Sequence, residues 1–324
     1  KIKIRSLVIL RRFKMVYSDY KVEYSDFDTY FNGEWVPYKQ VMIHPEDRGF
    51  VLADVVFDIG RTFNGKPFAL DHHIDRMYRS LKYVRIDPGI TSDEMTSICE
   101  EAVQRNSKYL EIAGDFTIHP WVTRGIGNIN DAIPTVCISI KPVNFAAFAK
   151  AYVDGVSAII AKTRSYSTDM MDPKVKHHNR MNFVLAELEA KDVDPKALPV
   201  LLDGDGNLTE GMGYNVFLVK DGVLKTPKGT SILWGVSRKI VMEVATNIGI
   251  EVVEEDLQPY DIYTADEVFF TRTSPRITPV NTIDNRIIGD GKPGPMTKQL
   301  LAAHSERVGV DIVDQALHHS GLKI

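Results

Sequence analysis

The chain has little cysteine: Cys99 and Cys137 stand far apart in 324 residues and lack metal-ligand spacing. A disulfide framework is therefore not expected, and a reducing, cytoplasmic setting fits better. No apolar run approaches the roughly 20 residues that a membrane span needs. Charge of one sign is not concentrated anywhere; the net charge is −4, which gives no electrostatic reason to expect nucleic acid as a partner. P-loop, Rossmann G-x-G-x-x-G and G-x-S-x-G patterns are absent. Histidine pairs occur at 72–73, 177–178 and 318–319, but adjacent residues do not share a face, so no metal site is expected.

Apolar residues make up 44% of the chain, enough for a sizeable core in one large or two medium domains. Residues 1–14 are basic with only a short apolar stretch, Leu7 to Leu10, and are set apart as a leader outside the fold. The expected division is a small domain over 15–141, a linker over 142–149 and a larger domain over 150–324.

Asn32-Gly33 and Asn64-Gly65, each between apolar and aromatic residues, predict two tight hairpins. Phe50 to Phe57 reads as β-prone. Helices are expected over His72–Arg85 and after the capping box Thr91-Ser92-Asp93-Glu94. Strands around Phe116–Val122 and Thr135–Ile140 close this half. The second half opens with a buried strand at Gly155–Ile160. A helix from about Arg180 to Lys191 follows, with Val184, Leu185 and Leu188 expected inward. Two Asp-Gly turns come next, at Asp203–Gly206 and Asp221-Gly222. A helix from Gly235, strands at Val252-Val253 and Val268–Phe270, and a last helix near Thr297–Ala303 complete an α+β reading.

Several residues could carry chemistry. Gly235-Val236-Ser237 opens a helix, whose free N–H groups and dipole favour an anion. Arg76 sits one turn into a helix; an exposed helix cation is its plain reading. Lys176 precedes a helix in a polar run. Lysine serves as a nucleophile toward carbonyls when its site lowers its pKa, although spacing alone favours a solvated loop residue. Glu210, ahead of Gly211 and Gly213, fits a carboxylate held where backbone passes close to a ligand, and equally an ordinary bulge.

In chain order, Phe68–Arg76, Val122–Gly125, Asp172–Lys176, Leu208–Asn215, Gly235–Arg238, Ile277–Val280 and Pro293–Thr297 resemble the fold-type IV pyridoxal-phosphate enzymes. That family includes branched-chain and D-amino-acid aminotransferases, (R)-selective amine transaminases and aminodeoxychorismate lyase. The resemblance runs from about Tyr30 to Leu301. It implies a two-domain α+β fold, with a small α/β N-terminal domain and a larger C-terminal domain built on a barrel-like sheet core. It also implies pyridoxal 5'-phosphate as cofactor and at least a homodimer.

Carried over residue by residue, Lys176 would be the Schiff-base lysine and acid–base. Glu210 would face the pyridine nitrogen. Arg76, Val236, Ser237 and Thr273 would hold the phosphate, and Leu233 would pack on the ring. On the substrate side the resemblance implies Phe57, Arg61, His119, Arg124, Ser274 and Arg276. Phe57 and Arg61 match the branched-chain pattern Phe-x-x-x-Arg. His119, however, stands where that branch has an arginine, and Pro275 removes a backbone N–H from the turn that receives the substrate carboxylate. Arg276 or Arg124 would then compensate. The expected activity is ping-pong transfer of an amino group between a primary amine or amino acid and a keto acid or ketone, with an (R)-amine-transaminase-like preference. A D-amino-acid or branched-chain aminotransferase, a lyase on the same cofactor, and a non-catalytic binding protein are the alternatives.

Overall fold

The computed structural model describes residues 22–322, so the basic leader at 1–14 lies outside the described residues. Two sheets organise the chain into a two-domain α+β fold. The first sheet contains Asp28–Phe31, Glu34–Pro37, Val55–Phe57, Gly60–Phe63, Lys66–Phe68, Phe116–Ile126 and Ile133–Pro142, with antiparallel pairings throughout. Both Asn-Gly hairpins form. Asn32 and Gly33 have φ of 50° and 94°, and Asn64 and Gly65 have φ of 49° and 73°, the left-handed pair that matches strand twist. Helices Leu70–Val84 and Ser92–Arg105 cover this sheet, packing Ile74, Met77, Leu81, Met95 and Cys99 on Phe116, Ile118 and Ile138. The expected capping box is present: Thr91 accepts from the Glu94 N–H and Glu94 from the Thr91 N–H.

The second sheet is mixed. It contains Val156–Arg164, Leu198–Leu202, Glu210–Gly211, Tyr214–Lys220, Val223–Pro227, Val252–Glu255, Glu267–Arg272, Arg276–Ile283 and Arg286–Ile287. Its central run Val216-Phe217-Leu218-Val219 is apolar at every position because both faces are covered. Phe217 and Val219 pack toward helices Val236–Asn247 and Pro295–Val308, while Val216 and Leu218 pack in a second core with Leu208, Ile262 and Phe270.

Three local expectations change. The Phe50–Phe57 stretch divides into a helix, Arg48–Leu52, and the strand Val55–Phe57. The Asp47 carboxylate caps that helix through Gly49 N–H at 2.7 Å, and Ala53 ends it at a left-handed φ of 55°. Any Cβ on Gly49 would come within 2.3 Å of Thr123, so the close approach requires glycine.

Helix Met181–Val193 is turned over relative to expectation: Val184, Leu185 and Leu188 face outward, and Asn182, Ala186 and Ala190 face inward. The small alanines let the helix lie close on Ile159, Ala161 and Leu201, which bulkier side chains would prevent. The last helix extends over Pro295–Val308, and a further one, Ile312–Ser320, follows it. Phe145, Phe148 and Ala149, within the 142–149 segment, are buried in a core with Phe63, Phe217 and Ile240.

Candidate active site

Lys176 lies between strand Val156–Arg164 and helix Met181–Val193, on a segment that reaches across to the first sheet. Phe57 N–H donates to the Lys176 carbonyl and Lys176 N–H to Ser80 Oγ, each at 3.1 Å, while His178 N–H donates to the Val55 carbonyl. These bonds set the side chain between the two domains, with Nζ 4.6 Å from the centre of the Phe57 ring. Burial, then the Arg180 and Arg76 guanidinium groups, bring the Lys176 pKa down to about 7. A large fraction of the amine is therefore neutral, and nucleophilic, near neutral pH.

Glu210 begins the short strand Glu210–Gly211. Its Oε1 accepts from Leu233 N–H and its Oε2 from Asn215 Nδ2, both at 3.1 Å. Burial pushes its pKa up to about 7 despite that N–H and the nearby Arg180, Lys176 and Arg76. A carboxylate so desolvated is stabilised by a cation or N–H donor placed opposite it.

The third part is the start of helix Val236–Asn247. No side chain caps it, its N-cap is Gly235, and a Cβ there would lie 2.0 Å from Asn215 Oδ1. Its first N–H groups and dipole make an anion site. Arg76 adds a guanidinium, held by Asp58 through Nε at 2.8 Å and Nη2 at 2.7 Å, with Nη1 donating to the Trp234 carbonyl. His73 Nδ1 lies 2.7 Å from the same carboxylate. Burial alone would raise the Asp58 carboxyl, but Arg76 and His73 outweigh it and hold it far below the ordinary range. Nothing in the sequence pointed to Asp58, because its partners lie on a helix 15 and 18 residues away.

These parts meet in one cavity. Lys176, Arg76, Glu210, Leu233, Val236, Ser237 and Thr273 all line it. So do Arg180, Arg272, Tyr166 and Thr271, to which the sequence assigned no role. The Thr271 Oγ1 is buried without a hydrogen-bond partner. An amine able to bond a carbonyl, a carboxylate awaiting a cation, an anion cradle and a spare hydroxyl together fit a phosphorylated pyridine aldehyde.

The profile of the family Amino-transferase class IV matches residues 55–283. The chain is a class IV aminotransferase. It is 39% identical over 298 residues to a Methanocaldococcus jannaschii protein named "Putative branched-chain-amino-acid aminotransferase", covering 88% of this chain and 99% of that one. It is 32% identical to the D-alanine aminotransferase of Staphylococcus haemolyticus, covering 84% and 94%. The branched-chain amino acid aminotransferase of Escherichia coli superposes with a TM-score of 0.79 at 28% identity over 87% of this chain and 93% of that one. The T.th. branched-chain enzyme, complexed with N-(5'-phosphopyridoxyl)-L-glutamate, gives 0.78 at 28% identity over 87% and 94%. Class IV aminotransferases depend on pyridoxal phosphate, and the unpartnered Thr271 hydroxyl, the glycine-capped helix start and the Lys176–Glu210 pair of this chain suit it.

In this aminotransferase the residues expected around the substrate are dispersed. Phe57 packs beside Lys176, Arg180 and His178, at 4.6, 5.0 and 4.4 Å. His119 is buried with Nε2 unpartnered and lines a neighbouring cavity with Trp121, Phe50 and His178. Burial lowers its pKa to about 3, so it carries no charge for a carboxylate. Arg124 is engaged by Asp54 at 2.6 Å and by the Val84 and Arg85 carbonyls at the end of helix Leu70–Val84.

Arg61 and Arg276 both act on the turn between strands Glu267–Arg272 and Arg276–Ile283. Arg276 Nη1 donates to the Thr273 carbonyl at 3.2 Å, Arg61 Nη1 to the Ser274 carbonyl, and Tyr152 Oη to the Pro275 carbonyl. Three consecutive carbonyls are thereby drawn to one group of donors. Ser274 enters this network through its backbone. Arg61, Arg124, Ser274 and Arg276 are thus placed as anchors of loops and turns rather than in the cavity that holds Lys176.

Proposed function

We propose that this aminotransferase exchanges the amino group of an α-amino acid with a 2-keto acid by a ping-pong course. The observation that carries the reading is the buried Lys176, its pKa brought down to about 7, sharing one cavity with Glu210 and an uncapped helix start. The bound cofactor supplies an electron sink for the carbanion formed on the substrate. Lys176 Nζ takes the proton from the amine-bearing carbon and later returns one. Glu210 keeps the pyridine nitrogen protonated. Arg76, the Val236 and Ser237 N–H groups and Thr273 hold the phosphate, and Leu233 packs against the ring. The names of the branched-chain and D-alanine relatives support a carboxylate-bearing substrate.

A carboxylate-free (R)-amine is the second reading, favoured by the uncharged His119 and the engagement of Arg61, Arg124 and Arg276 elsewhere. At least a homodimer belongs to the proposal. The outward apolar face of helix Met181–Val193, with Met181 66% and Leu188 57% exposed, supports it. The two free, buried thiols suit a cytoplasmic setting.

The test adds pyridoxal phosphate to wild type and Lys176→Ala and records absorbance. L-leucine, D-alanine and (R)-1-phenylethylamine then follow as donors, with 2-oxoglutarate or pyruvate as acceptor. The expected result is a Lys176-dependent band bleached by at least one amino acid, and turnover lower by about 10⁴-fold in the variant. Identical spectra for both proteins would sink the proposal.

A further inference from the structure

An α-amino acid brings its carboxylate one bond away from the carbon whose proton Lys176 handles. A cation that recognises that carboxylate must therefore stand close to Lys176 Nζ, and it must have N–H groups to spare. Arg61 and Arg124 fail the second condition for the reasons already given, Arg276 fails the first because it does not line the cavity although its Nη2 is unpartnered, and His119 is uncharged. Arg76 gives two of its N–H groups to Asp58.

Arg180 meets both conditions. Its guanidinium lies 5.0 Å from the same Phe57 ring centre that Lys176 Nζ approaches to 4.6 Å, so the two centres are separated by no more than the sum of those distances. Its Nε donates to the His177 carbonyl at 3.0 Å, which orients the plane and leaves the two terminal nitrogens for another partner. The Phe183 ring, 5.7 Å away, lies beside it, so the fork is lodged between two aromatic side chains. No carboxylate within 4.0 Å pairs with it among the described residues, although it lines the cavity. Arg272 is the other cation in the lining without an ion pair, but it packs 5.1 Å over Tyr214 rather than on the ring that Lys176 shares.

We infer that Arg180 is the anchor of the substrate α-carboxylate, taking it as a fork of two N–H donors beside Lys176. This inference rests on the amino-acid reading above. The arrangement also couples binding to chemistry. Arg180 is the largest charge contribution holding the Lys176 pKa down. A carboxylate seated on it offsets that charge and makes Lys176 more basic when substrate is present, so that it accepts a proton more readily.

The probe is 4-methylvaleric acid, a carboxylate without an amino group, titrated into cofactor-loaded wild type, Arg180→Lys and Arg180→Met. The cofactor band and its pH midpoint are followed, together with KM for the preferred amino acid and turnover of a carboxylate-free amine. In wild type the acid should move the midpoint upward. Arg180→Met should raise the midpoint before any acid is added, weaken the acid and raise KM by about 10- to 100-fold, and abolish the further shift. Arg180→Lys should recover part of the loss, since a point charge replaces the fork.

Unchanged acid binding in Arg180→Met overturns the inference, as does loss of the cofactor band itself, which would assign Arg180 to the cofactor. Wild type that turns over amines but no amino acid overturns the amino-acid reading, and the inference with it. Amino-acid turnover indifferent to position 180 overturns the inference alone.

Discussion

The two walls of the cavity are built from similar polar residues put to opposite uses. On the wall from the second sheet, groups face inward with capacity left over. Glu210 is desolvated without a cation in hydrogen-bond contact, Thr271 Oγ1 has no partner, and helix Val236–Asn247 starts without a side-chain cap. On the wall from the first sheet, Arg76 is held by Asp58, and away from the cavity Arg124 is held by Asp54 and Arg61 by the Ser274 carbonyl and Gln315. Spare capacity costs stability and gives binding; filled capacity rigidifies. A residue type is thus a poor guide to binding unless its partners are counted.

The comparison breaks most severely at Asp58. Removing it in Asp58→Ala leaves Arg76 buried without its carboxylate and His73 without its acceptor. Apoprotein stability to urea should fall by about 3–5 kcal/mol. A loss under about 1 kcal/mol would mean that the first wall is not held as described.

Next in size is the pH response of the open wall. Burial and two cations lower the Lys176 pKa, and the neutral amine is the reactive form. Formation of the Lys176-dependent band after mixing with pyridoxal phosphate should accelerate about tenfold per pH unit below 7 and level off above about 8. An ordinary lysine would keep gaining to about pH 10.4. Stopped-flow traces across that range decide between them.

The smallest effect is expected at Arg124. Arg124→Met should lower the melting temperature, because Asp54 keeps only Arg48 and two helix-end carbonyls lose their arginine donor. KM for the amino acid should stay within about twofold of wild type. A tenfold rise in KM would return Arg124 to the substrate side.

The same contrast explains what the sequence could and could not reveal. The Asn-Gly turns and the Thr91–Glu94 capping box are short-range chemistry, readable within four residues. Lys176, Glu210 and Ser237 could be singled out through a resemblance in chain order, and the structure gathers them around one cavity. The arginine pairings were not legible. Arg124 meets Asp54 from 70 residues away and Arg61 meets Ser274 from 213, and no spacing rule carries such pairings. Helix Met181–Val193 misled for a different reason. Its bulky residues looked like a core face, but close packing on a sheet selected the alanines instead. Arg180 entered the sequence reading only as the start of an expected helix, since only the crowding at Phe57 and the absence of a carboxylate partner distinguish it.

The clamp on the turn at Thr273–Arg276 has a consequence for how the chain matures on the ribosome. When the first sheet has emerged, Arg61 and Asp115 are already available to each other, but Ser274 and Gln315 are still to be synthesised. Gln315 bonds both Arg61 and Asp115, and it lies in the last helix, Ile312–Ser320. The turn that closes one edge of the cavity is therefore finished only once residues 213 and 254 positions after Arg61 have been made. A nascent chain can thus complete its first sheet well before this turn is fixed.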